Sequence, residues 1–158
     1  MVVVIFVALL VKEALEEKEE FDRVKDRYPP INQSSSETID LDYNENLAKI
    51  IAEAIDMGTL QKRSKAGEEF SYAPLEQIPY TGWTKRMYDD GKLGYLKQYK
   101  DGKPDGAYYN YWQSNGQKWI EGNFKDGKEV GIWVFYNKDG TVSSRHTYKD
   151  GERIRLKQ

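Results

Sequence analysis

Six chain-reversing dipeptides divide the second half of this 158-residue chain: Asp90-Gly91, Asp101-Gly102, Asn115-Gly116, Asp126-Gly127, Asp139-Gly140 and Asp150-Gly151. Asp, Asn and above all Gly tolerate the positive φ angles of tight hairpin turns, so each pair marks a reversal. Successive pairs stand 11, 14, 11, 13 and 11 residues apart, which leaves room for one short strand each. A chain that reverses six times at strand length folds as an antiparallel meander.

Taken two at a time, the turns define a repeat of 24 to 25 residues. Tyr99-Lys100-Asp101-Gly102-Lys103, Phe124-Lys125-Asp126-Gly127-Lys128 and Tyr148-Lys149-Asp150-Gly151-Glu152 are three copies of one phrase, offset by 25 and then 24 residues. Gly82, Gly106 and Gly131 precede the other strand of each unit. Units of this length cannot bury a hydrophobic face alone and are stable only when stacked. Function in such a chain belongs to a continuous face, not to a pocket. The fold class expected is mainly β, a single-layer antiparallel meander of stacked β-hairpins preceded by two N-terminal helices.

Side chains alternate between the faces of a strand. In the strands that end in the repeated phrase, one set runs Leu93, Tyr95, Lys97, Tyr99, then Lys118, Ile120, Gly122, Phe124, then Val142, Ser144, His146, Tyr148. Stacked by register, Tyr99, Phe124 and Tyr148 form an aromatic row, worth a few tenths to about 1 kcal/mol per cross-strand pair. The intervening strands carry rings on both faces: Tyr108 and Trp112 alternate with Tyr109 and Tyr111, and Trp133 and Phe135 with Ile132, Val134 and Tyr136. A one-layer sheet has a thin core, so such rings either pave the sheet or present a platform. As a platform, its candidate anchors for a partner are Tyr108, Trp119, Trp133 and Phe135, since Trp and Tyr are typical anchors of interfaces.

The first half has a different texture. Residues 1–11 (MVVVIFVALLV) form an apolar run too short to span a bilayer as a helix but of the length of a signal-peptide core. No Lys or Arg precedes the run and no small-x-small cleavage site follows it, so it reads as an incomplete signal or anchor, or as a segment packed on the domain. Residues 12–38 hold a charged helix over 12–27, stopped by Pro29-Pro30, and a linker. Residues 39–59 form an amphipathic helix, predicted over 43–57, with Leu47, Ile50, Ile51, Ala54 and Ile55 on one face, Asp42 and Glu45 as a capping box, and Gly58 just past its end. Residues 60–158 form the repeat domain, opened by a hairpin of Gln61–Lys65 and Glu69–Tyr72 about Gly67, with 73–79 as a loop.

The repeat carries a family resemblance. Residues 120–135 (IEGNFKDGKEVGIWVF) are similar to the MORN repeat, with its Gly-x-Phe-x-x-Gly-x-x-x-Gly rhythm. The neighbouring copies lack the first glycine of that rhythm and resemble the bacterial MORN variant of proteins labelled YwqK-family antitoxins, as does Pro79-Tyr80-Thr81-Gly82-Trp83 at the start of the first full unit. The resemblance covers roughly residues 60–155. It implies a MORN-type stack and protein scaffolding, attachment to membrane or phosphoinositide lipid, or neutralisation of a toxin in the cytoplasm.

Several chemistries are set aside. Without cysteine there is no disulfide, thiol nucleophile or Cys-bearing metal site. His146 is the single histidine; Ser144 is its neighbour on one strand face, with no nucleophile-elbow phrase around either. No P-loop, dinucleotide fingerprint or metal-ligand spacing is present, so no enzyme, cofactor or metal is expected. Residues 1–80 carry 9 basic and 16 acidic side chains and residues 81–158 carry 15 and 10, so the halves stand at −7 and +5. The basic half lacks the dense Lys/Arg stripe of a nucleic-acid binder. What remains is a noncatalytic repeat protein that binds another protein through an aromatic sheet face, as scaffold or antitoxin. The alternative is an envelope module that binds anionic membrane lipid or cell-wall glycan, because Gly-Trp and Tyr-rich hairpins also suit stacking on sugars. Location follows the apolar start: cell envelope or exported if it is a truncated signal or anchor, cytoplasmic otherwise. Oligomeric state is left open.

Overall fold

A computed structural model describes residues 41–155. The apolar start and the charged helix expected at 12–27 lie outside them, so one α-helix, not two, precedes the sheet among the described residues. Helix α1 spans Leu41–Glu53 and turns its expected stripe inward: Leu47, Ile50 and Ile51 are half-buried and Ala54, just past its end, is buried, whereas Asn46, Ala48, Lys49, Ala52 and Glu53 are exposed. It ends earlier than the spacing predicts. Ala54 N still donates to Ile50 O at 2.8 Å, but Ile55–Asp56 then leaves the helix as strand β1, parallel to Thr84 and Lys85. The edge of the sheet offers Ile55 a strand partner, and a β-branched residue suits that conformation. Gly58 therefore lies inside a 3-10 turn, Met57–Thr59, whose cap is Asp56 accepting from Gly58 N at 2.7 Å. The last turn of α1 has no basic residue of its own; Lys85 from the sheet donates to Ile51 O at 2.6 Å and meets the negative end of the helix dipole.

Strands β2 (Gln61–Lys65) and β3 (Glu68–Tyr72) form the expected opening hairpin, as a separate two-stranded sheet. The main sheet has eight strands in the order β1-β4-β5-β6-β7-β8-β9-β10. Strands β4 (Gly82–Met87), β5 (Leu93–Lys100), β6 (Lys103–Tyr111), β7 (Lys118–Lys125), β8 (Lys128–Tyr136), β9 (Val142–Lys149) and β10 (Glu152–Ile154) run as an uninterrupted antiparallel meander.

The six turns are of two kinds, which alternate. In the repeated phrase both turn residues take positive φ: Asp101 and Gly102 at 50° and 82°, Asp126 and Gly127 at 48° and 85°, Asp150 and Gly151 at 52° and 87°. These are two-residue turns that match the strand twist. At the other end of the sheet only the glycine is left-handed, as at Gly91, Gly116 and Gly140. There a longer loop closes through pairs such as Tyr88 N to Lys92 O, Trp112 N to Gln117 O and Asn137 N to Thr141 O, each 2.8 Å. The two classes explain the alternation of short and long spacings.

The 24 to 25-residue period holds down to single hydrogen bonds. Gly102 N donates to Tyr80 O (2.8 Å), Gly127 N to Pro104 O (2.7 Å) and Gly151 N to Glu129 O (3.0 Å), each acceptor lying two residues before a repeat glycine. Those glycines face the aromatic residue of the phrase: Gly82 pairs with Tyr99, Gly106 with Phe124, Gly131 with Tyr148. Within each unit the far end carries a bulge. Its register shift leaves one extra residue, Gly94 in the first unit, Trp119 in the second and Ser143 in the third, all five residues before the aromatic of the phrase.

The elements outside the sheet gather at its β4 end. Helix α1 and the 3-10 turn pack on β4, and the β2–β3 hairpin docks on the β5–β6 turn, with Ser71 N donating to Gly102 O and Lys103 paired to Glu68, both at 2.8 Å. Strands β7 to β9 pack through their own neighbours.

Candidate functional site

Paired residues share a face, so the register assigns the rings. Lys97 pairs with Tyr108, Tyr108 with Gly122 and Trp133 with His146, while Asn110 pairs with Ile120, Ile120 with Phe135 and Phe135 with Ser144. One face therefore gathers Tyr95, Tyr108, Phe124, Trp133, Phe135, His146 and Tyr148. Their centroids run Tyr95 to Tyr108 at 6.2 Å, Tyr108 to Phe124 at 5.7 Å, Phe124 to Trp133 at 5.1 Å and Trp133 to Tyr148 at 5.9 Å, and Phe135 lies 5.2 Å from His146. The row differs from the one expected. Tyr99, Phe124 and Tyr148 sit on alternate strands, and the rings of the strands between, Tyr108 and Trp133, close the gaps; Tyr99 instead meets Tyr80 at 6.2 Å.

Three of the four sequence-selected anchors, Tyr108, Trp133 and Phe135, meet on this ring face. Tyr108 and Phe135 are half-buried, but Trp133 is only 6% exposed and serves as its floor. Trp133 can lie flat because residue 122 is glycine: a Cβ there would stand 2.4 Å from the indole. The indole Nε1 of Trp133 and Nδ1 of its cross-strand partner His146 are buried and find no hydrogen-bond partner among the described residues. Burial, and then the Arg153 guanidinium, hold the His146 imidazole below its ordinary 6.5, against a raising backbone hydrogen bond at Arg145. In the first unit a lysine occupies the position of Gly122 and His146: Lys97 Nζ lies 5.1 to 5.8 Å from the centroids of Phe124, Tyr108 and Tyr95. Ring quadrupoles stabilise a cation there, while burial lowers its pKa. Burial also raises Tyr108, and burial with Tyr99 nearby pushes Tyr95, whose hydroxyl donates to Met57 Sδ, up to about 12.

The opposite face is a core that holds a buried carboxylate. Ile132, Val134 and Tyr136 cluster there, and Leu96 is fully buried. Glu121, 2% exposed, accepts from Tyr136 Oη at 2.5 Å and Lys118 Nζ at 2.8 Å. The bulge at Trp119 puts Lys118 opposite Tyr111 and carries it away from the set it shares by simple alternation with Ile120. Its ammonium lies 5.4 and 6.0 Å from the Tyr109 and Tyr136 rings. The fourth anchor, Trp119, is separated from the other three by the same bulge and stacks on Trp112 at the end remote from the repeated phrase, 4.7 Å between centroids.

Sequence reasoning passed over one exposed feature, Leu75 and Ile78 in the loop before β4, 91% and 72% exposed. Leu75 has φ 67° at the third position of an Ala73-Pro74-Leu75-Glu76 turn closed by Glu76 N to Ala73 O at 3.2 Å. The available signal was two aliphatic residues in a loop bracketed by Pro74 and Pro79. Among the described residues no cluster of His, Asp and Glu could hold a metal ion, and no helix is long and apolar enough to cross a membrane. No family model, curated protein or solved structure matches the chain.

Proposed function

We propose that this chain is a noncatalytic repeat protein of the MORN-variant kind that binds another protein through its ring face, as a scaffold or an antitoxin does. The observation that carries the reading is the unbroken row from Tyr95 to Tyr148, five strands wide, which meets the 3-10 turn at Tyr95 and runs from there across β6 to β9. The recurrence of turn, bulge and carbonyl acceptor every 24 to 25 residues supports the repeat assignment. Tyr108 and Phe135 are the anchors a partner reaches, and Trp133 sets the floor beneath them. Large rings at the centre of an interface commonly contribute about 2 kcal/mol or more each. Alanine at Tyr108 and Phe135 together should abolish capture of a crosslinked partner while the far-UV circular dichroism stays native. Full capture by the double variant would defeat the reading.

A further inference from the structure

We infer a second binding site, for a neutral β-linked oligosaccharide, at the end of the sheet remote from the repeated phrase. It goes beyond the protein-binding reading and rests on different residues. Trp119 occupies the bulge position that Gly94 and Ser143 fill in the neighbouring units. The bulge forms equally well around those small residues, so the fold does not require an indole there. Bulges re-aim side chains, and this one leaves Trp119 36% exposed with Trp112 stacked behind it at 29° between planes.

Trp112 is held in place by three contacts. Trp112 Nε1 donates to Tyr136 O at 3.3 Å, its ring carries the Lys138 ammonium at 5.4 Å, and its backbone N is bonded to Gln117 O at 2.8 Å. In front of the two indoles opens a depression of about 540 Å³, within the size range of small-molecule sites. Its polar lining comes from Asp90, Lys92, Gln113, Ser114 and Lys138, and Tyr88, also in the lining, is fixed through its hydroxyl to Tyr111 O at 2.9 Å.

The charges select the ligand. Asp90 and Lys92 neutralise each other at 3.1 Å, Lys92 Nζ is further committed to Gln113 O at 2.9 Å, and the Lys138 ammonium rests over the Trp112 ring at 5.4 Å, so each charge of the lining already has a partner. A cationic ligand would share the Trp112 ring with Lys138. An uncharged ligand with one apolar face and a rim of hydroxyls fits both constraints. A β-linked gluco-configured pyranose presents that shape: its axial C–H bonds give a flat face for Trp119, and its equatorial hydroxyls reach the carboxylate, amide and hydroxyl of the rim. Such ring faces are amphipathic in the manner that suits indole.

The test titrates the full chain with cellotetraose and chitotetraose, with α-linked maltotetraose as a shape control, by calorimetry and tryptophan fluorescence. We expect at least one β-linked tetramer to bind. Trp119→Ala should weaken binding by about tenfold or more while the far-UV circular dichroism stays native, as an anchor ring in a small interface does, and Trp119→Phe should restore most of it. Gln113→Ala, a change at an exposed loop residue, should weaken binding by a smaller factor. Saturation of neither β-linked tetramer, equal or tighter binding of maltotetraose, or binding indifferent to Trp119→Ala would each overturn the inference. Sugar binding should be unaffected in the Tyr108/Phe135 double variant, so the two sites fail or stand separately.

Discussion

Trp133 lies flat over the α-carbon of Gly122 with its N–H buried and without a hydrogen-bond partner among the described residues, and this dictates how the residue responds to change. Trp133→Ala empties the floor of the ring face and should cost about 3–5 kcal/mol, by the usual loss for a buried aromatic. Trp133→Phe keeps a ring there and removes the unsatisfied donor, so its cost should stay below about 1.5 kcal/mol. Urea unfolding of the two variants checks the contrast, and equal losses would show that the indole N–H has a partner. Gly122→Ala should destabilise by about 1–3 kcal/mol through overpacking against the same indole.

His146 makes stability depend on pH. Its folded pKa lies below 6.5 because of burial and Arg153, so around and below that value the unfolded chain binds more protons than the native one. The contribution is therefore complete above the unfolded pKa and is lost as the pH falls from there through the folded value. Hydrogen bonds lower the pKa of Glu68 (from Lys103), Asp90 (from Lys92) and Asp139 (from Thr141), which adds a loss of the same sign at more acid pH. The urea midpoint should rise between about pH 5 and pH 7.5, and His146→Gln should flatten that rise. An unchanged rise in the variant would assign it to other groups.

Elements in this fold owe their form to their turns more than to their strands. The Ala66-Gly67 turn joining β2 and β3 holds Ala66 at φ 53°, where the repeated phrase places Asp at 48° to 52°. Alanine has no side-chain oxygen to compensate for left-handed backbone, which costs an ordinary residue about 1–2 kcal/mol. Ala66→Asn should therefore stabilise the protein by about 0.5–1 kcal/mol, whereas Gly127→Ala, at φ 85°, should destabilise it by about 1 kcal/mol or more. Thermal melts of the pair should move in opposite directions; movement in the same direction would contradict the turn assignment.

What the sequence discloses at this scale follows the range of the forces involved. Turns, strands and the α1 stripe were legible because they rest on local φ preference and on periodicity. The early end of α1 was not, since Ile55 exchanges a helical position for pairing with Thr84, almost thirty residues away along the chain. Nor were the bulges: one extra residue at Trp119 reverses the face assignment of Lys118, and alternation alone carries no sign of it. Glu121 reads as a solvated strand residue until that bulge brings Lys118 back to it and Tyr136 arrives from the next strand.

For the whole molecule, the candidate site was half legible. Periodicity places Tyr108, Trp133 and Phe135 on one face, and the register brings them together. It does not rank their exposure, because the depth of Trp133 depends on Gly122 in the adjoining strand. It also counted Trp119 with them, where the bulge assigns it to a separate surface. The sheet thus has a ring face, a packed opposite face, and two ends with different chemistry: repeated short turns at one and the Trp112–Trp119 pair at the other. In such a one-layer stack every unit is stabilised by its neighbours.

A ring face that meets another protein should be caught in the act by site-specific photocrosslinking. A photoreactive phenylalanine analogue placed at Phe135, on the ring face, and separately at Ser143, the exposed bulge residue of β9, should be irradiated in the native host. Position 135 should yield one discrete protein adduct and position 143 none of that mass. An adduct from position 143 alone, or no adduct from 135 in a chain that melts at the native temperature, would contradict binding through the ring face.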